Sequence, residues 1–375
     1  MRNKRNYYAF ALINFRNLSH NLSVIKSLIP PKTEIMIPVK CNAYGFGMIE
    51  ISKFLIKKKI NFLSVAFPFE AFILRENNIS SRILVFNEPL NNKDIIMMIK
   101  HNITPTIFTK ETLMKFNNTA KKMNKKVRIH INIDTGMGRI GIPYKKSIKF
   151  VKEASSLSNI TIEGIYSHFP AADEKNKKFT LSQINIFTSI VEHLKVSGIK
   201  PRFIHISNSA GIINYPQLNF NMVRPGIMFY GYFPDNNIKK GVDLKQGLSL
   251  KSYITFIKKT EKNTPISYGH TYFTKRNEII ATVSCGYGDG INRLLSNSGY
   301  VLVKDKKCKI RGRICMDQFM INVTNIKNIR TGDIATIFGK DNKKEIRLEN
   351  IAKKLNTIPY EILCNIGGRV KRIYV

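Results

Sequence analysis

Apolar and β-branched residues gather in short runs along the first 235 or so positions: Glu34–Val39, Phe62–Ala66, Arg82–Phe86, Ile103–Phe108, Val127–Ile133, Thr161–Tyr166, Phe203–Ile206 and Met222–Tyr230. Runs of this length and composition predict buried β-strands. Between most of them the apolar positions recur at helical spacing, as in Ile49–Ile60, Glu70–Asn77, Glu111–Lys122, Ser147–Ala154 and Leu181–Val196. Eight strands with helices between most of them predict a closed (β/α)8 barrel. A doubly wound open sheet usually has fewer strands and a glycine fingerprint after the first, and no Gly-x-Gly-x-x-Gly stands here.

After about Gly241 the pattern changes. Strand-like runs come close together at Leu248–Ile257, Glu278–Cys285, Tyr300–Val303, Gln318–Val323 and Asp333–Phe338, divided by Gly- and Asn-rich turns. One helical stretch, Leu348–Leu355, precedes an expected strand pair at Glu361–Ile366 and Arg369–Val375. The prediction is therefore an α/β barrel over residues 1–240 followed by a smaller β-rich domain over 241–375.

Composition narrows the functional classes. No apolar run among the 375 residues is long enough to span a bilayer. Met1 to Phe15 is basic and then apolar, but the apolar part is short and no small-residue cleavage site follows, so a cytoplasmic protein is expected. The five cysteines, Cys41, Cys285, Cys308, Cys315 and Cys364, are odd in number and form no Cys-x-x-Cys pair, which argues against a disulfide framework or a zinc site. The net charge of +36 would attract nucleic acid or an anionic membrane. Yet the lysines are scattered along the whole chain, with no basic arm or recognition-helix pattern, so no specific nucleic-acid or membrane partner is expected.

The polar residues that follow the strands carry the chemistry. In a (β/α)8 barrel the active site lies at the C-terminal strand ends. Lys40 follows the first strand, Asp134 to Arg139 the fifth, His168 the sixth and Asn208-Ser209 the seventh, while Arg224-Pro225-Gly226-Ile227 lies in the eighth strand region. All of them fall on one face. A desolvated lysine amine suits Schiff-base chemistry. Ser209 and the backbone N–H groups around Gly226 and Ile227 suit a phosphate monoester. An amine and a phosphate cradle at one barrel mouth imply pyridoxal 5′-phosphate. No Asp or Glu is an obvious partner for the pyridine nitrogen, and Arg224 is the nearest candidate. A guanidinium cannot give up its proton, so the pyridine nitrogen would stay unprotonated and simple proton removal and return would be favoured.

Five motifs in order resemble the alanine racemases, pyridoxal-phosphate enzymes of fold type III. They are Val39-Lys40-Cys41-Asn42-Ala43-Tyr44-Gly45, Asp134-Thr135-Gly136-Met137-Gly138-Arg139-Ile140-Gly141, Val223-Arg224-Pro225-Gly226-Ile227, Ser267-Tyr268-Gly269 and Gly312-Arg313-Ile314-Cys315-Met316-Asp317-Gln318. The resemblance runs from a first strand at Ala11–Asn21 nearly to the C-terminus. It implies interconversion of L-alanine and D-alanine by two bases acting on a pyridoxal-phosphate Schiff base, supplying D-alanine for peptidoglycan. Lys40 would hold the cofactor and serve as one base. Tyr268 would be the other, reaching in from the partner subunit of a homodimer. The resemblance further implies that His168 contacts Arg224, that Arg139 meets the cofactor and the substrate carboxylate, and that Tyr44, Ser209, Gly226 and Ile227 hold the phosphate. Met316 would offer its N–H to the substrate carboxylate, and Tyr287 and Arg313 would line the entry route. Asp317 is expected to be structural. His20, His101, His130, His193, His205 and His270 show no metal-ligand spacing and receive no site.

Three positions depart from the family pattern. Asn132 stands where many relatives carry a lysine, often carbamylated. Phe46 replaces a histidine. Gly368 replaces a tyrosine expected to reach the phosphate, which predicts a more open site and weaker cofactor retention. Gly368 also leaves room for a racemase of another small or basic amino acid. A non-catalytic pyridoxal-phosphate-binding protein would resemble the barrel alone, and a fold-type III decarboxylase would not need a base on each face.

Overall fold

The computed structural model describes residues 7–234 and 241–375. Eight parallel strands stand side by side in chain order: Glu34–Pro38, Phe62–Val65, Arg82–Val85, Thr104–Ile107, Val127–Asp134, Ile160–Tyr166, Phe203–His205 and Met222–Val223. The last returns to the first, with Met222 opposite Glu34 and Val223 opposite Ile35. The join between Phe203–His205 and Met222–Val223 has no strand ladder. It is bridged instead by the Arg224 N–H, which donates to the Ser207 carbonyl at 3.0 Å. Asn221 adds a second link, accepting from the Ile204 N–H and donating to the Arg202 carbonyl, both at 2.7 Å. The expected barrel is present and nearly closed.

Its eighth strand is shorter than the apolar run Met222–Tyr230. Pro225 has no N–H to give a ladder, and the chain then turns, with the Phe229 N–H returning to the Gly226 carbonyl at 3.0 Å. The stretch Ala11–Asn21 is not one strand either. The strand Ala9–Ile13 ends where Asn14 caps the helix Phe15–Ser27, its side chain accepting the Asn17 N–H at 2.9 Å. Helices between the strands bury one stripe each. Lys110–Lys122, for example, buries Thr112, Leu113, Phe116 and Ala120 against the barrel.

The second sheet has nine strands and is built mostly from residues after 247. The strand Ala9–Ile13 belongs to it, antiparallel to Leu248–Thr260 and parallel to Lys371–Tyr374. The two ends of the chain thus close one sheet. Lys306–Arg311 is a strand that the apolar runs do not reveal. Its lysines face water while Cys308 and Ile310 face the core, and Lys304-Asp305 makes the tight turn before it at positive φ. Glu361–Ile366, expected as a strand, lies in the helix Pro359–Cys364 and the turn after it. Pro359 occupies the first helical position, where a missing N–H costs nothing. The expected division between residues 240 and 241 falls at the edge of 235–240, outside the described residues.

Candidate active site

The chain leaves the first barrel strand at Pro38 and turns at Lys40. Cys41, Asn42, Ala43 and Tyr44 all have φ between 52° and 54°, a left-handed turn made without glycine. Such a conformation costs roughly 1–2 kcal/mol per residue, so neighbouring groups must hold it. The Ala43 N–H donates to the Val39 carbonyl at 2.8 Å and the Gly47 N–H to the Asn42 carbonyl at 2.9 Å. The buried Glu70 carboxylate takes the Cys41 N–H at 2.7 Å through one oxygen. Its other oxygen takes the Ala66 and Phe67 N–H groups at 2.8 and 3.2 Å. One carboxylate therefore ties the turn after Lys40 to the start of the helix Pro68–Glu76.

Burial first, and the Arg139 guanidinium second, hold the Lys40 amine below the usual lysine value, opposed by Glu70 and the thiols of Cys364 and Cys41. No carboxylate among the described residues lies within ion-pair distance of it. A lysine so placed is shifted toward the neutral, nucleophilic amine. The Arg139 loop is folded by Asp134, whose carboxylate accepts the Gly136, Met137 and Gly138 N–H groups at 2.9, 2.9 and 3.2 Å. Asn132 is buried below this loop, its side-chain amide pointing to the Ile140 carbonyl at 3.4 Å.

The left-handed turn brings Tyr44 over the segment after the eighth strand. A Cβ placed on Gly226 would lie 2.9 Å from the Tyr44 hydroxyl and 4.0 Å from the Ser209 hydroxyl. Glycine is needed there to leave that space open. The Ser209 hydroxyl accepts the Met228 N–H at 3.2 Å. The buried N–H groups of Gly226 and Ile227, and the Tyr44 hydroxyl, have no hydrogen-bond partner among the described residues. Buried donors of this kind are normally satisfied. Two free amides on adjacent residues, with two hydroxyls beside Gly226, match the donor set that a phosphate monoester requires.

Arg224 is 3 % exposed and carries four contacts on its guanidinium. Nη2 donates to the carbonyls of Ser167 at 2.7 Å and Ile206 at 3.1 Å and lies 3.3 Å from His168 Nδ1. Nη1 donates to His205 Nδ1. The guanidinium also lies 5.1 Å from the Tyr166 ring centre. Burial lowers its pKa to about 10, so it remains a cation at neutral pH. Burial and the three cations Arg224, Arg139 and Lys40 hold His168 well below the usual histidine value. The sequence gives His205 no part in the site, yet the structure places it on Arg224. Its only signal was a histidine at an inward position of a barrel strand. Tyr360 is a second unforeseen member, its ring 5.9 Å from that of Tyr44. Gly368 has open space around it, and Tyr360 supplies an aromatic group on the Tyr44 side that a reading of Gly368 alone leaves out. Phe46 is fully buried against Tyr230, with ring centres 4.7 Å apart, and so fills core rather than the site.

Tyr268, Tyr287, Arg313 and Met316 form a second group on the C-terminal unit. The Ser267 hydroxyl donates to the Arg313 carbonyl at 2.6 Å. The Tyr287 N–H donates to the Cys315 carbonyl at 3.0 Å and the Gly288 N–H to the Met316 carbonyl at 2.9 Å. Arg369 braces them, paired with Asp289 at 2.6 Å and Asp317 at 2.7 Å and donating to the Met316 carbonyl at 3.3 Å. Asp317, expected to be structural, takes part here only through its pairing with Arg369. Tyr268 is 69 % exposed, Met316 54 % and Tyr287 45 %. Among the described residues no hydrogen bond, ion pair or ring contact joins this group to Lys40 and its neighbours. Within one chain the expected site residues therefore stand as two separate halves.

Two family models cover nearly all of the chain, the alanine racemase N-terminal domain over residues 13–234 and the alanine racemase C-terminal domain over 247–374. The chain belongs to the alanine racemase family. It is 41% identical to an alanine racemase of Methanococcus maripaludis over 368 residues, covering 98% of each chain. Among solved structures, it is similar to an alanine racemase of Clostridium difficile 630, with TM-score 0.94, 38% identity and coverage of 99% of this chain and 97% of that one. It is also similar to an alanine racemase of Bartonella henselae with covalently bound pyridoxal phosphate, with TM-score 0.86, 28% identity and coverage of 98% and 99%. As an alanine racemase family member the chain is an isomerase, and its second domain separates it from proteins that share the barrel alone.

Proposed function

We propose that this protein interconverts L-alanine and D-alanine with pyridoxal 5′-phosphate, in a homodimer whose active sites each combine the barrel of one subunit with the C-terminal domain of the other. The observation that carries the reading is the division of the site: Lys40 and the phosphate cradle on the barrel, Tyr268 and Met316 exposed on the second unit. A recessed half on the barrel and an exposed half on the second unit that do not meet within one chain are what a shared site requires.

Tyr44, Ser209 and the free N–H groups of Gly226 and Ile227 would hold the phosphate, Lys40 the aldehyde carbon and Arg224 the pyridine nitrogen. Bound pyridoxal phosphate supplies the electron sink that acidifies the α-proton of the amino acid. Arg224 would donate a hydrogen bond to the pyridine nitrogen without giving up a proton, which would limit that sink and favour return of the proton. Arg139 and the Met316 N–H orient the substrate carboxylate. Tyr268 of the partner subunit takes the α-proton from L-alanine, and Lys40 returns a proton to the opposite face. In the reverse direction Lys40 takes the proton from D-alanine. Inversion needs a base on each face, and two residues from two subunits can stand on opposite sides of one carbon. The D-alanine would serve peptidoglycan synthesis in the cytoplasm. No helix among the described residues is long and apolar enough to cross a membrane.

The test is D-alanine formation from L-alanine by the purified protein with pyridoxal phosphate, beside Tyr268→Phe. A sharp loss in the variant, larger from the L side, supports the reading. Absence of D-alanine despite cofactor bound on Lys40 overturns it. The open space at Gly368 favours one second reading, a racemase for a larger amino acid, and the same assay with serine and lysine as substrates decides between them.

A further inference from the structure

The carbonyl that ends the left-handed turn after Lys40 is held from the far end of the chain. Arg372 is half-buried in the last strand, Lys371–Tyr374, and its Nε donates to the Gly45 carbonyl at 3.1 Å. Its Nη1 donates to the carbonyls of Gly367 at 2.7 Å and Val370 at 2.8 Å, and its Nη2 to that of Ile366 at 2.9 Å. Two residues on, the Tyr374 hydroxyl donates to the Phe46 carbonyl at 3.0 Å. Among the described residues no carboxylate pairs with Arg372. Four carbonyls take the place of a counter-ion. A planar guanidinium with its fork of N–H donors can span them, and the compact ammonium of a lysine cannot.

The fold brings these segments into close contact. Gly45 has φ 81°, and a Cβ there would overlap the Leu363 carbonyl oxygen, so the helix Pro359–Cys364 rests directly on the turn. The chain then runs through Gly367 and Gly368 before it enters the last strand. Adjacent glycines lose more backbone freedom on ordering than other residues do. The backbone bonds here are long, Gly367 N–H to the Asp289 carbonyl and Val370 N–H to the Gly367 carbonyl, both at 3.2 Å. Arg372 adds three shorter ones to the same stretch.

Arg369 lies in this stretch too and reaches the other way. Besides its pairs with Asp289 and Asp317, it donates to the Met316 carbonyl. Asp289 is itself anchored, accepting the Gly286 N–H at 2.8 Å. Two arginines three residues apart thus fasten one segment to both halves of the candidate site. Arg372 ties it to the turn that carries Lys40 and Tyr44, and Arg369 to the turns that carry Tyr287 and Met316.

We propose that the segment 366–372 serves two active sites at once: through Arg372 it positions Tyr44 for the cofactor phosphate in its own barrel, and through Arg369 it positions Met316 for the substrate in the partner's site. Both arginines are positioning residues. Tyr44 directly precedes Gly45, so its ring moves with the carbonyl that Arg372 holds. The assignment of the two arginines to different sites rests on the shared site proposed above; the hold of Arg372 on the Tyr44 turn does not.

The experiment compares Arg372→Gln, Arg372→Lys and Arg369→Gln with the wild type, each as the full chain. Absorbance titration of pyridoxal phosphate onto protein stripped of it reads the cofactor site without turnover. Loss of a charge-assisted hydrogen bond is roughly a tenfold change in an equilibrium constant. Arg372→Gln should therefore bind pyridoxal phosphate about tenfold more weakly, with Arg372→Lys in between and Arg369→Gln within about twofold of wild type. At saturating cofactor the pattern reverses for alanine. Arg369→Gln should raise KM about tenfold with kcat less affected, while Arg372→Gln keeps KM within about twofold. A general loss of stability, followed by thermal melting, would move both quantities together in both variants. Equal effects of the two glutamine replacements on cofactor and alanine overturn the proposal. So does wild-type cofactor binding by Arg372→Gln, or wild-type KM for Arg369→Gln. If Arg372→Gln does not fold, Arg372→Lys carries the same test.

Mixed dimers of Lys40→Ala and Tyr268→Phe chains assign the sites. Their one intact site joins the barrel of the Tyr268→Phe chain to the second unit of the Lys40→Ala chain. Arg372→Gln should raise the pyridoxal phosphate requirement only when placed on the Tyr268→Phe chain. Arg369→Gln should raise the alanine KM only on the Lys40→Ala chain. Effects that do not depend on the chain overturn the proposal. No activity in any mixed dimer would instead contradict the shared site, and the cofactor titration would still decide the role of Arg372.

Discussion

Removing the Glu70 carboxylate should release the turn that presents Lys40. In Glu70→Ala the N–H groups of Cys41, Ala66 and Phe67 lose their acceptor together. Hydrogen bonds to a charged group contribute about 1.5–3 kcal/mol each when buried. These three are only partly buried, so water recovers some of that. A sum of about 3 kcal/mol is expected, roughly 1 kcal/mol per bond. A left-handed run of four residues costs about 4–8 kcal/mol at about 1–2 kcal/mol each, so a loss of about 3 kcal/mol removes a large share of what offsets that strain, and the turn and not only the global fold should suffer. Glu70→Gln keeps one acceptor oxygen and should lose about half as much. Urea unfolding followed by circular dichroism gives the stability change, and absorbance titration with pyridoxal phosphate reports on Lys40. Both variants should bind the cofactor more weakly, alanine more than glutamine. A midpoint for Glu70→Ala equal to that of the wild type, or alanine and glutamine indistinguishable, would refute the reasoning.

Two further outcomes follow from the same geometry. Gly226→Ala puts a methyl 2.9 Å from the Tyr44 hydroxyl. It should weaken pyridoxal phosphate binding at least about tenfold, the equivalent of about 1.4 kcal/mol, while leaving the circular dichroism spectrum unchanged, and an absorbance titration checks it. The Lys40 amine is held below its ordinary value by burial and then Arg139. Only the neutral amine attacks an aldehyde, so the rate of cofactor capture should rise with pH and reach its plateau below the ordinary lysine value of 10.5. Arg139→Gln removes a repelling cation and should move that midpoint upward, measured by stopped-flow absorbance at a series of pH values.

Much of this could be read from the chain alone because barrel strands are apolar runs and their C-terminal ends carry the chemistry. Lys40, Arg139, His168, Ser209 and Arg224 all follow such runs, so one topological rule gathers them. The rule fails where tertiary context sets the structure. Lys306–Arg311 is strand although half of its residues are lysine, because alternate positions suffice to cover a core. Glu361–Ile366 reads as strand by composition, but Pro359 starts a helix before it. The strand Ala9–Ile13 pairs with residues more than 230 positions away, which no local pattern records. His130 and His205 look like isolated inward histidines, yet their rings meet at 2.9 Å where the ladder between Val127–Asp134 and Ile160–Tyr166 shifts register. The left-handed turn after Lys40 was invisible for a similar reason. Cys41, Asn42, Ala43 and Tyr44 carry no glycine to announce positive φ, and the group that holds them, Glu70, is some 30 residues distant.

The central claim is a catalytic site shared between two subunits, and mixing two inactive variants tests it most directly. Lys40→Ala and Tyr268→Phe each destroy every site in their own homodimers. In a heterodimer one site keeps both wild-type residues if they come from different subunits. An equimolar mixture, exchanged through brief unfolding and refolding with pyridoxal phosphate, should recover about a quarter of the wild-type rate of alanine racemisation, since half the dimers are mixed and each has one intact site. Recovery no greater than the sum of the two variants alone, with dimer exchange verified, would contradict the account.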